Sequence, residues 1–186
     1  MGEITLILGG ARSGKSTFAE ELALNQKEHV TYLATADCRD GEMKKRIEIH
    51  QSRRPAEWGT WEGEPRDLPR AVASASGLLL LDCLTMWLTR LFLSFPESEG
   101  EDEAAWFARE GEIASLVREL CGSVGGGASL IIVSNEVGFG LVPPYLMGRR
   151  FRDLQGRMNQ LCAGYAKNVA LVIAGCPLWI KGGGPA

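Results

Sequence analysis

The sequence predicts an α/β fold with a mostly parallel sheet and helices on both faces, and three observations carry that reading. Five short apolar runs are continuous rather than alternating, as expected of strands covered on both sides. Segments of helical spacing separate them, so strand and helix alternate along the chain. The first strand-to-helix junction, Gly9-Gly10-Ala11-Arg12-Ser13-Gly14-Lys15-Ser16, fits G-x-x-x-x-G-K-[ST], a loop whose backbone N–H groups cradle phosphates.

Taken in order, Ile4–Leu8 is the first strand, and Thr17–Leu24 is a helix with Phe18 and Leu22 one turn apart. Val30–Ala34 is the second strand. Within Gly41–Pro55, Met43, Ile47 and His50 fall on one helical stripe. Trp58-Gly59-Thr60-Trp61-Glu62 places two indoles and a carboxylate beside that segment; the indoles read either as core or as the border of a nucleotide base. Leu78–Leu81 is the third strand and ends in Asp82. The apolar stretch runs on to Leu93, but Asp82 and Arg90 interrupt it, which argues against a membrane span. Pro96–Glu103 reads as a solvated acidic loop leading into an Ala104–Cys121 helix.

Leu130–Val133 is the fourth strand. Asn135-Glu136-Val137-Gly138-Phe139-Gly140-Leu141-Val142-Pro143-Pro144 then forms a shaped loop at the sheet's carboxyl edge. The helix after it has Phe151, Leu154, Met158 and Leu161 at core spacing. Arg150, Asp153 and Arg157 lie on another face and read as a solvated or intersubunit ion-pair line. Val169–Ala174 is the fifth strand, expected to close a single phosphate-loop domain over 1–181, with 182–186 a flexible tail.

The 186 residues suit one α/β domain, and 45% hydrophobic with 23% charged residues is ordinary for a globular protein. A net charge of −3 provides no basic field for nucleic acid or an anionic membrane. The five cysteines are widely spaced, with no C-x-x-C pair, which argues against a disulfide framework or a zinc site. No signal-type leader is recognised, so a cytoplasmic location is expected.

In the phosphate loop, Lys15 would reach the outer phosphates and the Ser16 hydroxyl would ligate Mg²⁺. Asp82, at the end of an apolar strand, is the carboxylate placed to hold the same metal, although a turn or cap role uses the same residue type. His50 reads either as the edge of a core face or as a neutral imidazole nucleophile among Arg46, Arg53 and Arg54, three guanidiniums suited to phosphate. His29, at the start of a strand, is expected to be exposed. No N-K-x-D element of the regulatory GTPases occurs.

The motif set is more specific than the loop alone. Gly9 to Ser16, Tyr32-Leu33-Ala34-Thr35, Arg46-Ile47 with His50, Arg54-Pro55 with Trp58, and Leu81-Asp82-Cys83-Leu84-Thr85 occur in order. Asn135-Glu136-Val137-Gly138, Phe151-Arg152-Asp153, Gly156-Arg157, Asn159-Gln160 and Ile180-Lys181 complete it. The chain resembles the bifunctional adenosylcobinamide kinase / adenosylcobinamide-phosphate guanylyltransferases of cobalamin assembly. That resemblance implies a RecA-like phosphate-loop fold, a homotrimer, ATP or GTP with Mg²⁺, and a corrinoid substrate. It implies phosphorylation of the corrinoid's aminopropanol hydroxyl, then transfer of GMP from GTP through a guanylyl-histidine at His50. It also implies nucleotide contacts at Gly9, Gly10, Ala11, Arg12, Ser13, Gly14, Lys15, Ser16, Ala34, Thr35, Ala36, Gln51, Ser52, Arg53, Arg54, Glu62 and Asp82. Gln51 stands where a basic residue is usual and Ala36 where serine is common. A phosphate-loop kinase of another small molecule, or a transferase lacking the kinase step, shares most of these residues.

Overall fold

A computed structural model describes residues 2–26, 29–36, 54–95 and 102–183 of the chain. Along it run β1 (Ile4–Gly9), α1 (Lys15–Asn25), β2 (Val30–Ala34), β3 (Gly59–Glu62) and a 3₁₀ turn (Pro65–Asp67). Then come α2 (Leu68–Ala73), β4 (Gly77–Asp82), α3 (Leu84–Leu93), α4 (Glu103–Gly122) and β5 (Ala128–Asn135). The chain continues through α5 (Leu146–Tyr165), β6 (Asn168–Ile173) and β7 (Cys176–Lys181). The strands form one sheet in the order β3-β2-β4-β5-β1-β6-β7. Every neighbouring pair is parallel except β6 and β7.

All five expected strands are present, and two more border the sheet. At one edge β3 has only four residues, whose exposure alternates. At the other, β6 folds back into β7 through Ala174 and Gly175, with φ of 52° and 81°. Both angles lie in the left-handed region that a tight primed hairpin requires. The strand expected to reach Ala174 therefore ends one residue earlier, at the turn.

Alternation along the strands divides the core between the two faces. Leu6, Leu33, Leu79, Leu81, Leu130 and Ile132 pack with α2, α3, α4 and α5. Ile7, Tyr32, Leu78, Leu80, Ile131 and Val133 pack with α1. Leu79, Leu80 and Leu81 are wholly buried, and each such side chain contributes about 1.5–3 kcal/mol. The apolar continuation after Asp82 is α3, which buries Leu84, Trp87, Leu88 and Leu91 at helical spacing. Trp61 packs partly buried on the larger cluster and Trp58 on the smaller.

α4 begins at an Asp102 cap, whose Oδ1 accepts the Ala104 N–H at 2.9 Å. Its partner is α5, where Asp153 and Arg157 are exposed, as expected of a solvated ion-pair line. Arg157 donates to both Glu110 carboxylate oxygens, at 2.5 and 2.7 Å. The Arg150 guanidinium lies 5.2 Å from the centre of the Trp106 ring. Glu110 and Trp106 both belong to α4, so these arginines join two helices of one chain. His29 is exposed, as expected. Among the described residues, no helix is long and apolar enough to cross a membrane.

Candidate active site at the carboxyl edge of the sheet

Strand register brings distant residues to one edge. Gly9 is level with Asn135, Ala34 with both Glu62 and Asp82, and Asp82 with Val133. The β1–α1 loop starts there. Arg12 and Gly14 have φ of 60° and 93°, turning the chain so that α1 begins directly at Lys15. At Gly9, a Cβ would lie 2.4 Å from Ser13 Oγ and 2.7 Å from the Val172 carbonyl. Nothing larger than glycine fits without a shift. The loop is also held from outside: Glu136 N–H donates to the Gly9 carbonyl at 3.0 Å and Gly175 N–H to the Ser13 carbonyl at 2.8 Å.

Lys15 is only 9% exposed, and its ammonium donates to the Gly10 carbonyl at 3.1 Å. Burial lowers its pKa, opposed by its neighbours Cys83 and Asp82. An ammonium drawn out of water beside a loop of backbone donors is a strong seat for an anion.

Asp82 closes the other side. Ser16 Oγ donates to its Oδ1 at 3.2 Å and the Tyr32 hydroxyl to its Oδ2 at 3.0 Å. Burial, followed by the Asp82 charge, raises the Tyr32 pKa well above that of an ordinary phenol, so Tyr32 remains a donor at neutral pH. The Arg54 guanidinium lies 3.2 Å from the centre of the Tyr32 ring, within cation–π reach. Thr35 ties β2 to the end of β4: its hydroxyl donates to the Cys83 carbonyl at 2.8 Å and accepts the Cys83 N–H at 2.9 Å. The Cys83 thiol is pushed up to about 12, first by burial and then by Asp82.

The structure therefore gathers the Gly9 to Ser16 loop, Ala34, Thr35, Ala36, Arg54 and Asp82 around the end of the central strands. Glu62 lies at the same level on edge strand β3. His50, Gln51, Ser52 and Arg53 lie outside the described residues.

Two arrangements of residues, some of them named in the motifs, were not foreseen. One is a buried polar group beneath the β5 end. Ser134 Oγ donates to Asn159 Oδ1 at 2.6 Å, Gln155 Nε2 donates to Ser134 Oγ at 2.9 Å, and Asn159 Nδ2 donates to the Asn135 carbonyl at 3.0 Å. Its sequence signal is two amides at i and i+4 on the α5 face that also buries Leu154 and Met158. The other is an open cleft of about 370 Å³ between the phosphate loop, Glu136 with Phe139, and the β6 end. The β5–α5 loop beside it is held by Arg152 Nη2 on the Gly138 carbonyl at 3.0 Å and Arg149 Nη1 on the Pro144 carbonyl at 2.8 Å.

Comparisons with known proteins identify the family. The profile of the family described as "CobU: Cobinamide kinase / cobinamide phosphate guanyltransferase" matches residues 5–180. The chain is 44% identical to the "Bifunctional adenosylcobalamin biosynthesis protein CobP" of Pseudomonas aeruginosa, covering 95% of this chain and 96% of that protein. It is 37% identical to the "Bifunctional adenosylcobalamin biosynthesis protein CobU" of Escherichia coli, covering 95% and 98%. Among solved structures, a "prototypical ATPase from the type III secretion system of pathogenic bacteria" superposes with a TM-score of 0.58. It is 11% identical, covering 92% of this chain and 51% of that one, and indicates the RecA-like fold alone. Sequence, site and relatives together establish that the chain belongs to the cobinamide kinase / cobinamide phosphate guanylyltransferase family of adenosylcobalamin biosynthesis.

Proposed function

We propose that both reactions of this bifunctional kinase and guanylyltransferase use one nucleotide cradle, built by Gly9 to Ser16 and Asp82, and that GMP passes through His50. The observation that carries the cradle is the 3.2 Å Ser16–Asp82 hydrogen bond, which joins the loop to a carboxylate 66 residues away. An alcohol and a carboxylate side by side, facing a phosphate seat, form the all-oxygen donor set that suits Mg²⁺. When bound, that ion would neutralise charge on the phosphates. Lys15 exchanges the Gly10 carbonyl for an outer phosphate oxygen, and the loop N–H groups hold the others.

In the guanylyl step, a His50 ring nitrogen bonds to the α-phosphorus of GTP while the α–β bridging bond breaks and pyrophosphate leaves. A cobinamide phosphate oxygen then attacks the same phosphorus, the N–P bond breaks, and the imidazole is regenerated. Arg54 stacks on the ring of Tyr32, whose hydroxyl donates to Asp82, and so brings positive charge to the cradle. The exposed apolar side chains of the β5–α5 loop, Phe139, Leu141 and Val142, suit one wall for a corrinoid. In the homotrimer we propose, a neighbouring subunit completes that cleft.

Incubation with Mg²⁺ and GTP labelled at the α- or γ-phosphate tests the covalent step, with denaturation away from acid. Label from α, absent from γ and absent in His50→Ala, is the expected result. No label despite GTP binding, or equal labelling of His50→Ala, would remove His50 from the mechanism.

A further inference from the structure

We propose that Glu136 is the general base of the kinase step, accepting the proton of the acceptor hydroxyl as its oxygen attacks the γ-phosphorus. This rests on the Gly9 to Ser16 loop holding the nucleotide for that step.

An alcohol becomes a better nucleophile at phosphorus as it loses its proton, so a carboxylate near the outer-phosphate end of the loop accelerates the step by accepting that proton. Three carboxylates stand at the carboxyl ends of strands: Glu62, Asp82 and Glu136. At about 4.8 Å per strand, the order β3-β2-β4-β5-β1 puts Glu62 about 19 Å across the sheet from β1, whereas Asp82 reaches the loop itself at Ser16. Glu136 follows β5, the direct neighbour of β1. Asp82 is also engaged at both oxygens, by Ser16 and Tyr32.

Glu136 is fastened to the loop it would serve. Its N–H donates to the Gly9 carbonyl at 3.0 Å. Its Oε1 accepts the Gly138 N–H at 2.5 Å, which orients the carboxylate. No hydrogen bond occupies Oε2 among the described residues. Glu136 is the carboxylate lining the open cleft, opposite Gly10, Ala11 and Arg12. That is the end of the loop where the Lys15 ammonium rests on Gly10, the position of an outer phosphate. The cleft's rim is apolar, with Phe139 85% and Ile173 59% exposed, which suits contact with the hydrocarbon edge of a corrin ring.

The step balances without a further reagent. The acceptor oxygen bonds to the γ-phosphorus, the β–γ bridging P–O bond breaks, and the nucleoside diphosphate leaves. The hydroxyl proton passes to Glu136 and then to solvent at the open cleft. GMP transfer needs no such base, because cobinamide phosphate arrives already ionised. A residue that only shapes the loop would affect both reactions; a kinase base would affect one.

The test measures both half-reactions separately in Glu136→Gln, Glu136→Asp and Lys15→Met. In Glu136→Gln, the kinase kcat should fall about 10²–10⁴-fold with the nucleotide KM unchanged. GMP transfer to preformed cobinamide phosphate should stay within about threefold, and Glu136→Asp should recover part of the kinase rate. Equal loss of both reactions, a rise in corrinoid KM alone, or an unchanged kinase rate would overturn the assignment. A fully active Lys15→Met kinase would instead refute the shared cradle, a failure separable from that of Glu136.

Discussion

Replacing Lys15 by Met keeps a long, unbranched side chain in the pocket while removing the charge. Lys15 is 9% exposed and its ammonium lies 3.1 Å from a loop carbonyl, so it is already at the phosphate seat before a ligand arrives. A unit charge about 4 Å from a phosphate oxygen, at an effective dielectric of about 20, interacts by about 4 kcal/mol. That corresponds to about a thousandfold in binding. With GTP and Mg²⁺ at a hundredfold the wild-type Kd, ligand linkage stabilises the native protein by about 2.7 kcal/mol. For a chain of this length, that raises Tm by about 5–11 °C. In Lys15→Met the same solution would sit at about a tenth of the weakened Kd, and the shift should vanish within error. Differential scanning fluorimetry with and without Mg²⁺-GTP makes the comparison, with both reaction rates measured in parallel. If Lys15→Met kept more than half of the wild-type shift, Lys15 would not be reaching the phosphates.

Two other perturbations read the same edge of the sheet. Gly9→Ala places a methyl group 2.4 Å from Ser13 Oγ and 2.7 Å from the Val172 carbonyl. Overpacking of that kind costs about 1–3 kcal/mol, so Tm should fall by about 2–12 °C; an unchanged Tm would mean that the loop yields freely. The Cys83 thiol, pushed up to about 12, should resist alkylation at pH 8 while the exposed Cys176 reacts, as peptide mass mapping can follow. A raised thiol pKa contributes stability that is complete below the unfolded-state value near 9 and is lost as pH rises toward 12. Urea midpoints that rose over that interval would contradict the assignment.

The central strands were legible because burial on both faces leaves a signal that survives without context: Leu78 to Leu81 can hardly be anything but interior. The edge strands carry no such signal. β3 has four residues, only half of them facing the protein, and β7 contains Pro177, which reads against a strand when its neighbours are unknown. The Ala174-Gly175 pair was the available hint, since glycine after a strand favours a hairpin. α3 was hidden by continuity: its apolar face directly extends the apolar strand, and periodicity separates them only once Asp82 is taken as a boundary. The phosphate loop and Asp82 were legible as motifs, and their meeting at Ser16 follows from the strand order. Tyr32 as the second donor to Asp82 could not be read in advance, because a buried tyrosine in a strand looks like core until its hydroxyl finds a partner. Glu136 was legible as part of the Asn135–Gly138 motif, but not its place beside Gly9, because β5 must insert between β1 and β4 before its following loop becomes a neighbour of that residue.

The sheet's outermost strands have a further consequence, for how the protein behaves at high concentration. Among the described residues, an open sheet seven strands wide offers two unpaired borders on which another copy could add itself indefinitely. One border is β3, too short at four residues to template a long ladder. The other, β7, has Pro177, which cannot donate a ladder hydrogen bond, and ends in the exposed Lys181, whose charge resists close approach by an identical edge. Leu178 and Ile180 on that border are exposed and apolar, so the deterrent lies in the backbone and the terminal charge rather than in a polar surface. The features that made the edges hard to recognise as strands are the same ones that discourage runaway polymerisation.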